Sequence, residues 1–544
     1  MSRRAAIRLL ELAALLGAEI GGGYAQPTEP PPVSASTALP DDWLTALSAV
    51  RLTGIAVQGN TVFSQQELEE LTAPYKDELV SFESLQELRH EISRRYVERG
   101  YVTSGVVIPD QHVADGVVVL RAIEGELSGI AVEGNQRLRS RPIERRVQHY
   151  VGVPLNVTDL QAGLSELQKD PLVERVNAEL VPGERLGESL LKIDVTERKP
   201  FEIAVFAAND RAPSIGENRA SLALTYRGLI GNGDVLNGRF GATDGAGDNA
   251  LSYQVPLTPG GTKLEIAVSD QAADIIEAPF DVIDISSRIE TWSVGASRAF
   301  IDDGQRTVVG LIGFEHKRSE STLLGSPFSF SPGDIDGEAV GSALTLGAEW
   351  SRSVGTRALV ARGTFEVGVD VLDPTHNDAG PDGDFVFFVG QLQFVQNIRW
   401  RASRVLVRGL LQVADDSLLA MYKMPIGGRY SVRGYRESQF VRDNGFVASA
   451  ELQFPAFVDA TGQRRGQLDF AAFADYGLSV DAEASLFTTR REHLASVGVG
   501  LLWQPLPGLN MEIYRGFALV DQNNPDDSLQ DRGIHYALAF RRAF

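Results

Sequence analysis

Side chains capable of chemistry are spread along the chain without the spacing of a catalytic site. The seven histidines show no HExxH pattern, and neither a Gly-x-Ser-x-Gly elbow nor a phosphate-binding Walker A segment occurs. The absence of cysteine excludes disulfides, cysteine zinc sites and thiol nucleophiles. The sequence therefore predicts a protein that is not an enzyme and that uses no metal or other cofactor.

One acid, Asp475, has a setting that suits ion pairing better than catalysis. It shares one face of an alternating segment with Gln467 and Asp469, opposite Leu468 and Phe470. A carboxylate on such a face can hold a guanidinium through two parallel hydrogen bonds.

The whole chain has 51 basic and 72 acidic residues and a net charge of −21, which disfavours a nucleic-acid partner held by bulk electrostatics.

Two similar modules precede residue 200. Residues 54–60 (GIAVQGN) return about 75 positions later as residues 129–135 (GIAVEGN), with one substitution, which indicates a duplicated unit. In each copy a strand and a Gly-Asn turn precede two helix patterns and two strand patterns. We therefore predict two α+β domains of order β-α-α-β-β, at residues 51–126 and 127–199. Ser64 with Glu67, and Thr158 with Gln161, are expected to cap helices.

The sheet of each module is expected to have an open edge. In the first copy, apolar residues three and four positions apart predict an amphipathic helix that ends at Gly100: Leu85, Leu88, Ile92 and Tyr96. Residues 103–108 and 117–122 then supply strands, as do residues 173–181 and 189–195 in the second copy. An open edge can accept an extended chain as an added strand. The predicted docking residues on the first module are Thr103, Ser104, Val106, Val107 and Ile108; alternatively, the modules are only structural spacers.

The amino-terminal segment has the features of an export signal. Arg3, Arg4 and Arg8 precede an apolar stretch that ends in small residues, as in a signal peptide at residues 1–25; an ordinary amphipathic helix is the alternative. Five prolines follow within residues 26–40, so residues 26–50 are predicted to be a linker with room for one short helix at 41–50. No stretch has the length and continuous apolar character of a transmembrane helix.

From residue 201 onwards, apolar and polar side chains alternate. Leu264 and Ile266 alternate with Lys263 and Glu265, and the same pattern recurs at residues 359–367 and 446–454. A soluble sandwich shows the same alternation. In an exported chain with aromatic residues on the apolar faces, a closed barrel with lipid outside and water inside is the simplest interpretation.

The strand-like runs in residues 200–544 number about sixteen, which predicts a 16-stranded antiparallel transmembrane β-barrel. Turn residues at 232–234 and 259–261 suit short turns, and the acidic segments 334–336 and 376–382 suit exposed loops. The last strand carries Tyr536, Phe540 and Phe544 on one face. A terminal aromatic of this kind resembles the signal read by the machinery that assembles bacterial outer-membrane barrels.

The order of these parts resembles a known family. Two tandem small domains and a barrel are typical of outer-membrane barrels with periplasmic POTRA domains, and the chain is most similar to the two-partner secretion transporters of the haemolysin secretion/activation family. The most specific segment is residues 427–436 (GGRYSVRGYR). Its core matches the VRGY tetrad of the family: Val432, Arg433, Gly434 and Tyr435. The F-x-D-x-G motif of the family fits Phe473, Asp475 and Gly477.

The resemblance implies a structural role for the long loop at about residues 414–442. In the family this loop folds back into the barrel and meets the F-x-D-x-G strand, so Arg433 is expected to bind Asp475 in the lumen. Gly434 would allow a tight turn, and Tyr435 would pack or hydrogen-bond against the wall. A solvated arginine and an unrelated lumenal acid are the alternative. Family members often place an amino-terminal helix in the pore, but the linker here is short, so a pore plug is not expected.

The function implied by the resemblance is protein export across the outer membrane, with the POTRA domains in the periplasm. The implied partners are a large secreted exoprotein with an amino-terminal secretion domain, outer-membrane lipid and, during biogenesis, the barrel assembly machinery; the chain is expected to be a monomer. One rival is a barrel-assembly factor of the same superfamily, which usually carries more POTRA domains. A second is a diffusion porin, which needs neither the modules nor the VRGY loop.

Overall fold

The computed structural model describes Leu44 and residues 49–113, 115–459, 464–483, 489–525 and 527–544. The predicted signal peptide at residues 1–25 and most of the predicted linker at residues 26–50 lie outside the described residues. The chain divides into two compact units, one formed mainly by residues up to Arg198 and the other mainly by residues from Lys199 onwards. In the described part of the chain, no helix has the length and apolar character needed to span a membrane.

The first module combines a three-stranded sheet with two helices. Its elements are, in chain order, β1 (Ala49–Arg51), β2 (Gly54–Gln58), α1 (Gln65–Thr72), β3 (Leu79–Ser81), α2 (Phe82–Glu98), β4 (Gly105–Val107) and β5 (Val117–Ile123). The sheet order is β2-β5-β4, while β1 and β3 form a separate antiparallel pair. This is the predicted β-α-α-β-β order with one additional ribbon.

Helix α2 supplies much of the core of the first module. Its apolar residues recur every three or four positions, so they share one face, and all four predicted core residues are buried: Leu85, Leu88, Ile92 and Tyr96. They pack with Val118 and Leu120 of β5. The predicted capping box is present at the start of α1, where the Ser64 and Glu67 side chains bond reciprocally to each other's backbone N–H.

The edge strand of this sheet is shorter than predicted. A strand was expected over residues 103–108, but β4 spans only Gly105–Val107. The reason is a turn in which the Ser104 N–H donates to the Tyr101 carbonyl at 3.0 Å. The Ser104 hydroxyl also accepts the N–H of Gly125 at 2.8 Å. Thr103 and Ser104 therefore do not belong to the strand.

The second module repeats the same order. Its elements are β6 (Glu126–Glu133), α3 (Ser140–Gln148), α4 (Val157–Gln168), β7 (Val173–Pro182) and β8 (Glu188–Glu197), with the sheet order β6-β8-β7. The predicted cap at Thr158 is wrong. Helix α4 begins at Val157, two residues earlier than that cap requires, so Asn156 is the N-cap and its side-chain oxygen accepts the Thr158 N–H at 2.9 Å.

The duplicated Gly-Asn turn is held in the same way in both modules. The Asn60 side chain donates to the Phe63 carbonyl at 2.7 Å, and Asn135 donates to the Leu138 carbonyl at 2.7 Å. A glutamate at the end of the last strand or just after it then accepts the backbone N–H groups that follow the turn. Glu124 accepts from residues 61 and 62, and Glu197 accepts from residues 136, 137 and 138.

The turn also affects the ionisation of its glutamate. Burial acts to raise the pKa of the Glu124 carboxyl, but hydrogen bonds from Thr61, Tyr96 and Val62 outweigh it and hold this pKa below its usual value. The duplicated unit thus includes a half-buried carboxylate that the seven-residue match alone does not contain.

Sixteen antiparallel strands form one closed barrel. The remaining strands are, in chain order, β9 (Phe201–Ala208), β10 (Arg219–Arg227), β11 (Val235–Ala242), β12 (Ala246–Pro256), β13 (Lys263–Asp274), β14 (Ile285–Asp302), β15 (Arg306–Leu323), β16 (Ser326–Pro327), β17 (Glu338–Val354), β18 (Arg357–Gly368), β19 (Val386–Ile398), β20 (Ser403–Ala414), β21 (Met424–Ile426), β22 (Phe440–Arg442), β23 (Asn444–Val458), β24 (Arg464–Val480), β25 (Arg491–Leu506), β26 (Leu509–Ala518) and β27 (Ile534–Ala543). The two-residue β16 pairs antiparallel with the end of β15, and β21 and β22 form a separate pair that is not part of the barrel wall. Pairing of β27 with β9 closes the barrel.

The alternation predicted from the sequence corresponds to the two surfaces of the barrel wall. On β13, Ile266 and Val268 are about half exposed on the outside. On β23, Ser449 and Glu451 are buried on the inside. The predicted turns at residues 232–234 and 259–261 lie between β10 and β11 and between β12 and β13. The acidic segments 334–336 and 376–382 lie in the connections after β16 and β18.

Candidate functional site

The connection at residues 415–443 folds into the barrel. It joins β20 to β23 and contains the β21–β22 pair. Apolar side chains of this loop form one buried cluster with Val447 of β23 and Leu494 of β25: Met424, Ile426, Val432 and Tyr435. The loop therefore packs on the inner wall, as the resemblance implied.

Arg433 is a deeply buried charge of this loop, with 1% of its surface exposed. Its Nε donates to Oδ2 of Asp475 at 2.8 Å, and its Nη2 donates to Oδ1 at 2.9 Å. The Arg433 backbone N–H also donates to Oδ2 at 3.1 Å. The structure thus brings together the two charged residues that the motifs singled out, in the bidentate geometry suited to a guanidinium and a carboxylate.

A second carboxylate, Glu451 of β23, completes the contacts of the guanidinium. It forms an ion pair with Nη1 of Arg433, while the Ser449 hydroxyl accepts from Nη2 at 3.2 Å. The Phe473 ring lies under the guanidinium, with its centroid 3.5 Å from Cζ. We call Arg433, Asp475, Glu451 and Phe473 the lumenal cluster.

Glu451 was not among the predicted site residues, although the sequence contained a signal for it. It shares the polar face of its strand with Ser449 and Gln453. In the register of β23 and β24, Ser449 is opposite Asp475 and Glu451 is opposite Phe473. This register, which the sequence does not reveal, decides that Glu451 reaches the same arginine.

Two glycines allow the loop and the wall to approach closely. Gly434 has φ +97°, and a Cβ built there would lie 3.1 Å from the backbone carbon of Gly516. A Cβ on Gly477 would lie 2.7 Å from Cγ2 of Val432. The Gly434 N–H donates to Nε2 of His535 at 3.1 Å. His535 is fully buried, and sequence reasoning did not identify it.

Tyr435 ties the loop to two further parts of the barrel. Its hydroxyl donates to the Ala495 carbonyl at 2.7 Å and accepts the N–H of Val520 at 3.1 Å. This is a hydrogen-bonding role of the kind expected for that residue.

Further arginines of the same loop bind other carboxylates. Arg436 donates to Asp531 through Nη2 at 2.8 Å and pairs with Glu277 through Nη1 at 2.8 Å. Arg429 pairs with Glu512 of β26. These contacts, which the sequence did not predict, join the loop to the connections at residues 275–284 and 519–533.

The charged groups of the lumenal cluster bind one another. One guanidinium contacts two carboxylates, a hydroxyl and an aromatic face, so each of its nitrogens has a partner. Such an arrangement holds a segment in place by geometry and charge, and breaking one partner leaves the others buried and uncompensated. Within the described residues, no group of three or more His, Cys, Asp or Glu side chains is arranged to hold a metal ion.

The predicted docking edge is only partly formed as expected. Gly105–Val107 form the edge strand β4, in which Val106 points into the core with 3% exposure. Ile108 lies just after the strand, and Thr103 and Ser104 lie in the preceding turn.

At the other end of the chain, Tyr536 lies on β27, while Phe540 and Phe544 are 41% and 52% exposed.

Comparisons with known proteins agree with this architecture. The family model of the haemolysin secretion/activation protein ShlB/FhaC/HecB matches residues 187–502, and that of the ShlB-type POTRA domain matches residues 50–125. The outer membrane transporter CdiB of Dickeya dadantii (strain 3937) is 23% identical over 409 residues, which cover 73% of this chain and 71% of the relative.

Solved structures share the fold. CdiB from Escherichia coli superimposes with a TM-score of 0.66 at 20% identity, covering 95% of this chain and 93% of that chain. BamA from Haemophilus ducreyi lacking POTRA domains 1–3 gives a TM-score of 0.54 at 14% identity, covering 91% of this chain and 100% of that chain. Because the first family model covers more than half of the sequence, the chain belongs to the haemolysin secretion/activation (ShlB/FhaC/HecB) family and is an outer-membrane transporter of the two-partner secretion type, with its POTRA region facing the periplasm.

Proposed function

We propose that this transporter exports one large, unfolded exoprotein, whose amino-terminal secretion domain first binds the two modules in the periplasm. The observation that carries the proposal is the loop at residues 415–443, which lies inside a closed barrel and is held there by the lumenal cluster. Charged contacts suit a removable obstacle, because the separated charges can be hydrated when the loop leaves the wall.

The exoprotein is proposed to dock as an added strand on a sheet edge. In the first module, β4 ends the sheet but spans only three residues. In the second, β7 ends the sheet with ten residues and offers a longer row of backbone groups. A photoreactive phenylalanine analogue at Val107 or at Ala178 should cross-link the exoprotein's amino-terminal domain. Cross-linking from neither position would contradict docking on these edges.

Passage through the barrel is proposed to need no nucleotide and no catalytic step. Arg433 and Asp475 then act as conformational parts, with Gly434 and Gly477 allowing close approach. Folding of the exoprotein outside the cell would prevent it from sliding back and would give the transport its direction. In this proposal the transporter has no enzymatic activity.

Locking the loop in place tests the proposal. Val432 and Gly477 are close enough for a disulfide between cysteines at both positions, and the native chain contains no cysteine to compete. A Val432→Cys/Gly477→Cys transporter should export its exoprotein only after reduction, whereas reduction should not change export by either single cysteine variant; the single variants also measure the effect of each new side chain by itself. Equal export by the oxidised pair and by the single variants would show that the loop need not move.

Two rival functions predict different results from deletion of residues 50–200. The transporter should lose export of its own exoprotein while its barrel stays inserted in the membrane. A barrel-assembly factor would instead lower the amounts of many outer-membrane barrels, and a diffusion porin would keep its conductance with no export defect. The likeness to BamA is a likeness of fold at 14% identity, whereas the family match supports secretion.

We further propose that the chain works as a monomer and that its last strand carries the signal for barrel assembly. The exposed rings of Phe540 and Phe544 support the assembly signal, since they face outwards where an assembly factor can reach them. A Phe544→Ser variant should then show a lower folded fraction in the membrane. An unchanged folded fraction would contradict the signal.

A further inference from the structure

The two modules carry opposite charges at the same position of the repeat. Helix α1, which follows the Gly-Asn turn in the first module, carries three acids: Glu67, Glu69 and Glu70. Helix α3, which follows the equivalent turn in the second module, has four arginines within it or at its N-cap: Arg139, Arg141, Arg145 and Arg146. Because the fold of the repeat is the same in both, the fold alone does not require this reversal.

Most of these arginines are available to an external partner. Arg139, Arg141 and Arg145 are exposed, and within the described part of the chain no carboxylate lies within 4.0 Å of their charged groups. Arg141 and Arg145 are one helical turn apart and therefore lie on one face of α3. Arg146, in contrast, is buried and paired with Asp170.

The turn before α3 is tied to the end of β8. The Glu197 carboxylate accepts the backbone N–H groups of residues 136, 137 and 138. We call Arg139, Arg141 and Arg145 the basic face of the second module.

A short connection joins the second module to the barrel. Strand β8 ends at Glu197, and the first barrel strand begins at Phe201. Four residues of extended chain span at most about 14 Å, so Glu197 stays within that distance of Phe201. An anionic lipid surface attracts basic side chains over roughly 10 Å.

We propose that the basic face binds the phosphate groups of anionic phospholipids on the periplasmic surface of the outer membrane and so holds the second module against that surface. The guanidinium fork matches a phosphate bidentately. The acidic helix α1 of the first module would be repelled by the same surface. The proposal rests on the outer-membrane location and not on the identity of the exoprotein.

The test uses the full chain in lipid nanodiscs, either of phosphatidylcholine alone or with phosphatidylglycerol. Because the chain has no cysteine, a single Gln148→Cys on α3 can carry a fluorophore, and a spin-labelled lipid headgroup can quench it. Quenching should be stronger with phosphatidylglycerol and should weaken in high salt. A matched label at Glu70→Cys on α1 should show no such dependence on lipid charge.

Charge variants decide the outcome. Replacing Arg139, Arg141 and Arg145 together by Gln should abolish the extra quenching, since each basic residue near an anionic surface contributes roughly five-fold to the bound population. The corresponding triple Lys variant should retain most of it. Equal quenching in the Gln variant and the native chain would overturn the proposal. A Gln variant that instead loses only binding of the exoprotein's amino-terminal domain would assign the face to that partner and would also overturn it.

Discussion

Arg433 in the barrel and the arginines of helix α3 represent two opposite uses of the same side chain. Arg433 is 1% exposed and contacts two carboxylates, a hydroxyl and an aromatic ring. Arg141 and Arg145 are exposed and have no carboxylate within 4.0 Å in the described part of the chain. The first arginine is satisfied by the protein itself, whereas the other two remain available to an anion outside it.

The difference in burial predicts a difference in energetic effect. In the lumen, water is largely replaced by protein, so losing one partner leaves buried charge without compensation. On an exposed helix, water and salt compensate a lost charge, so substitution changes stability little and long-range attraction more. The following substitutions measure that contrast on one chain.

The largest effect is expected for the pair Arg433 and Asp475. Arg433→Ala leaves the buried Asp475 without its ion pair and Glu451 with only the more distant Arg408 at 4.0 Å, and it should lower the free energy of unfolding of the barrel by about 3 to 5 kcal/mol. Asp475→Ala should cost a similar amount, and the double variant should be less destabilised than the sum of the two. Urea unfolding in lipid vesicles, with export measured alongside, tests this. Strictly additive losses would argue against a functional contact.

Glu451→Gln should have an intermediate effect. The amide keeps the size of the side chain but removes one charge from Arg433, for an expected loss of about 1.5 to 3 kcal/mol. Glu366→Gln is a matched control, because Glu366 also faces the lumen but accepts a hydrogen bond from Thr345. If both substitutions have the same effect on the unfolding free energy, Glu451 is not part of the anchor.

Arg436→Gln should have a smaller effect that depends on salt. Arg436 is 12% exposed and binds Asp531 and Glu277 outside the barrel strands. Its removal should make the connection at residues 519–533 more open to limited proteolysis, and high salt should reduce the difference from the native chain. Arg433→Ala provides the comparison, since a buried pair is screened much less. If salt changed the susceptibility to proteolysis equally in both variants, the expected difference between a buried and a more exposed ion pair would be wrong.

The smallest effect on stability is expected for the triple Arg139→Gln, Arg141→Gln, Arg145→Gln variant. Exposed side chains without partners contribute little to folding, so its unfolding free energy should lie within about 0.5 kcal/mol of the native value. A loss as large as that of Glu451→Gln would show that these arginines stabilise the module itself. The contrast between buried and exposed arginines would then fail.

The parts of the fold with local signals were predicted from the sequence. The β-α-α-β-β order, the barrel of sixteen strands and the capping box at Ser64 all depend on neighbouring residues, and the structure has them. Two local predictions were wrong where a single turn decided the outcome. Asn156 rather than Thr158 caps α4, and Thr103 and Ser104 form a turn in place of a strand.

The site was predicted only where a motif named its residues. Arg433 and Asp475 were expected to meet because of the family motifs, and their atoms are in contact. Glu451, His535 and Asp531 were missed. Their contacts join segments up to about a hundred residues apart, and no spacing in the sequence encodes such a distance.

By itself, the sequence determined which face of each strand is polar, because a strand alternates its side chains with a period of two whatever it pairs with. It also indicated the duplicated turn, since the hydrogen bonds of Asn60 to Phe63 and of Asn135 to Leu138 are local. Only the tertiary structure decided which polar residues meet. Strand register places Glu451 beside Phe473, and the inward fold of one loop places Arg433 between two carboxylates. Register and loop path depend on the closure of the whole barrel, and that closure is a property of all sixteen strands together.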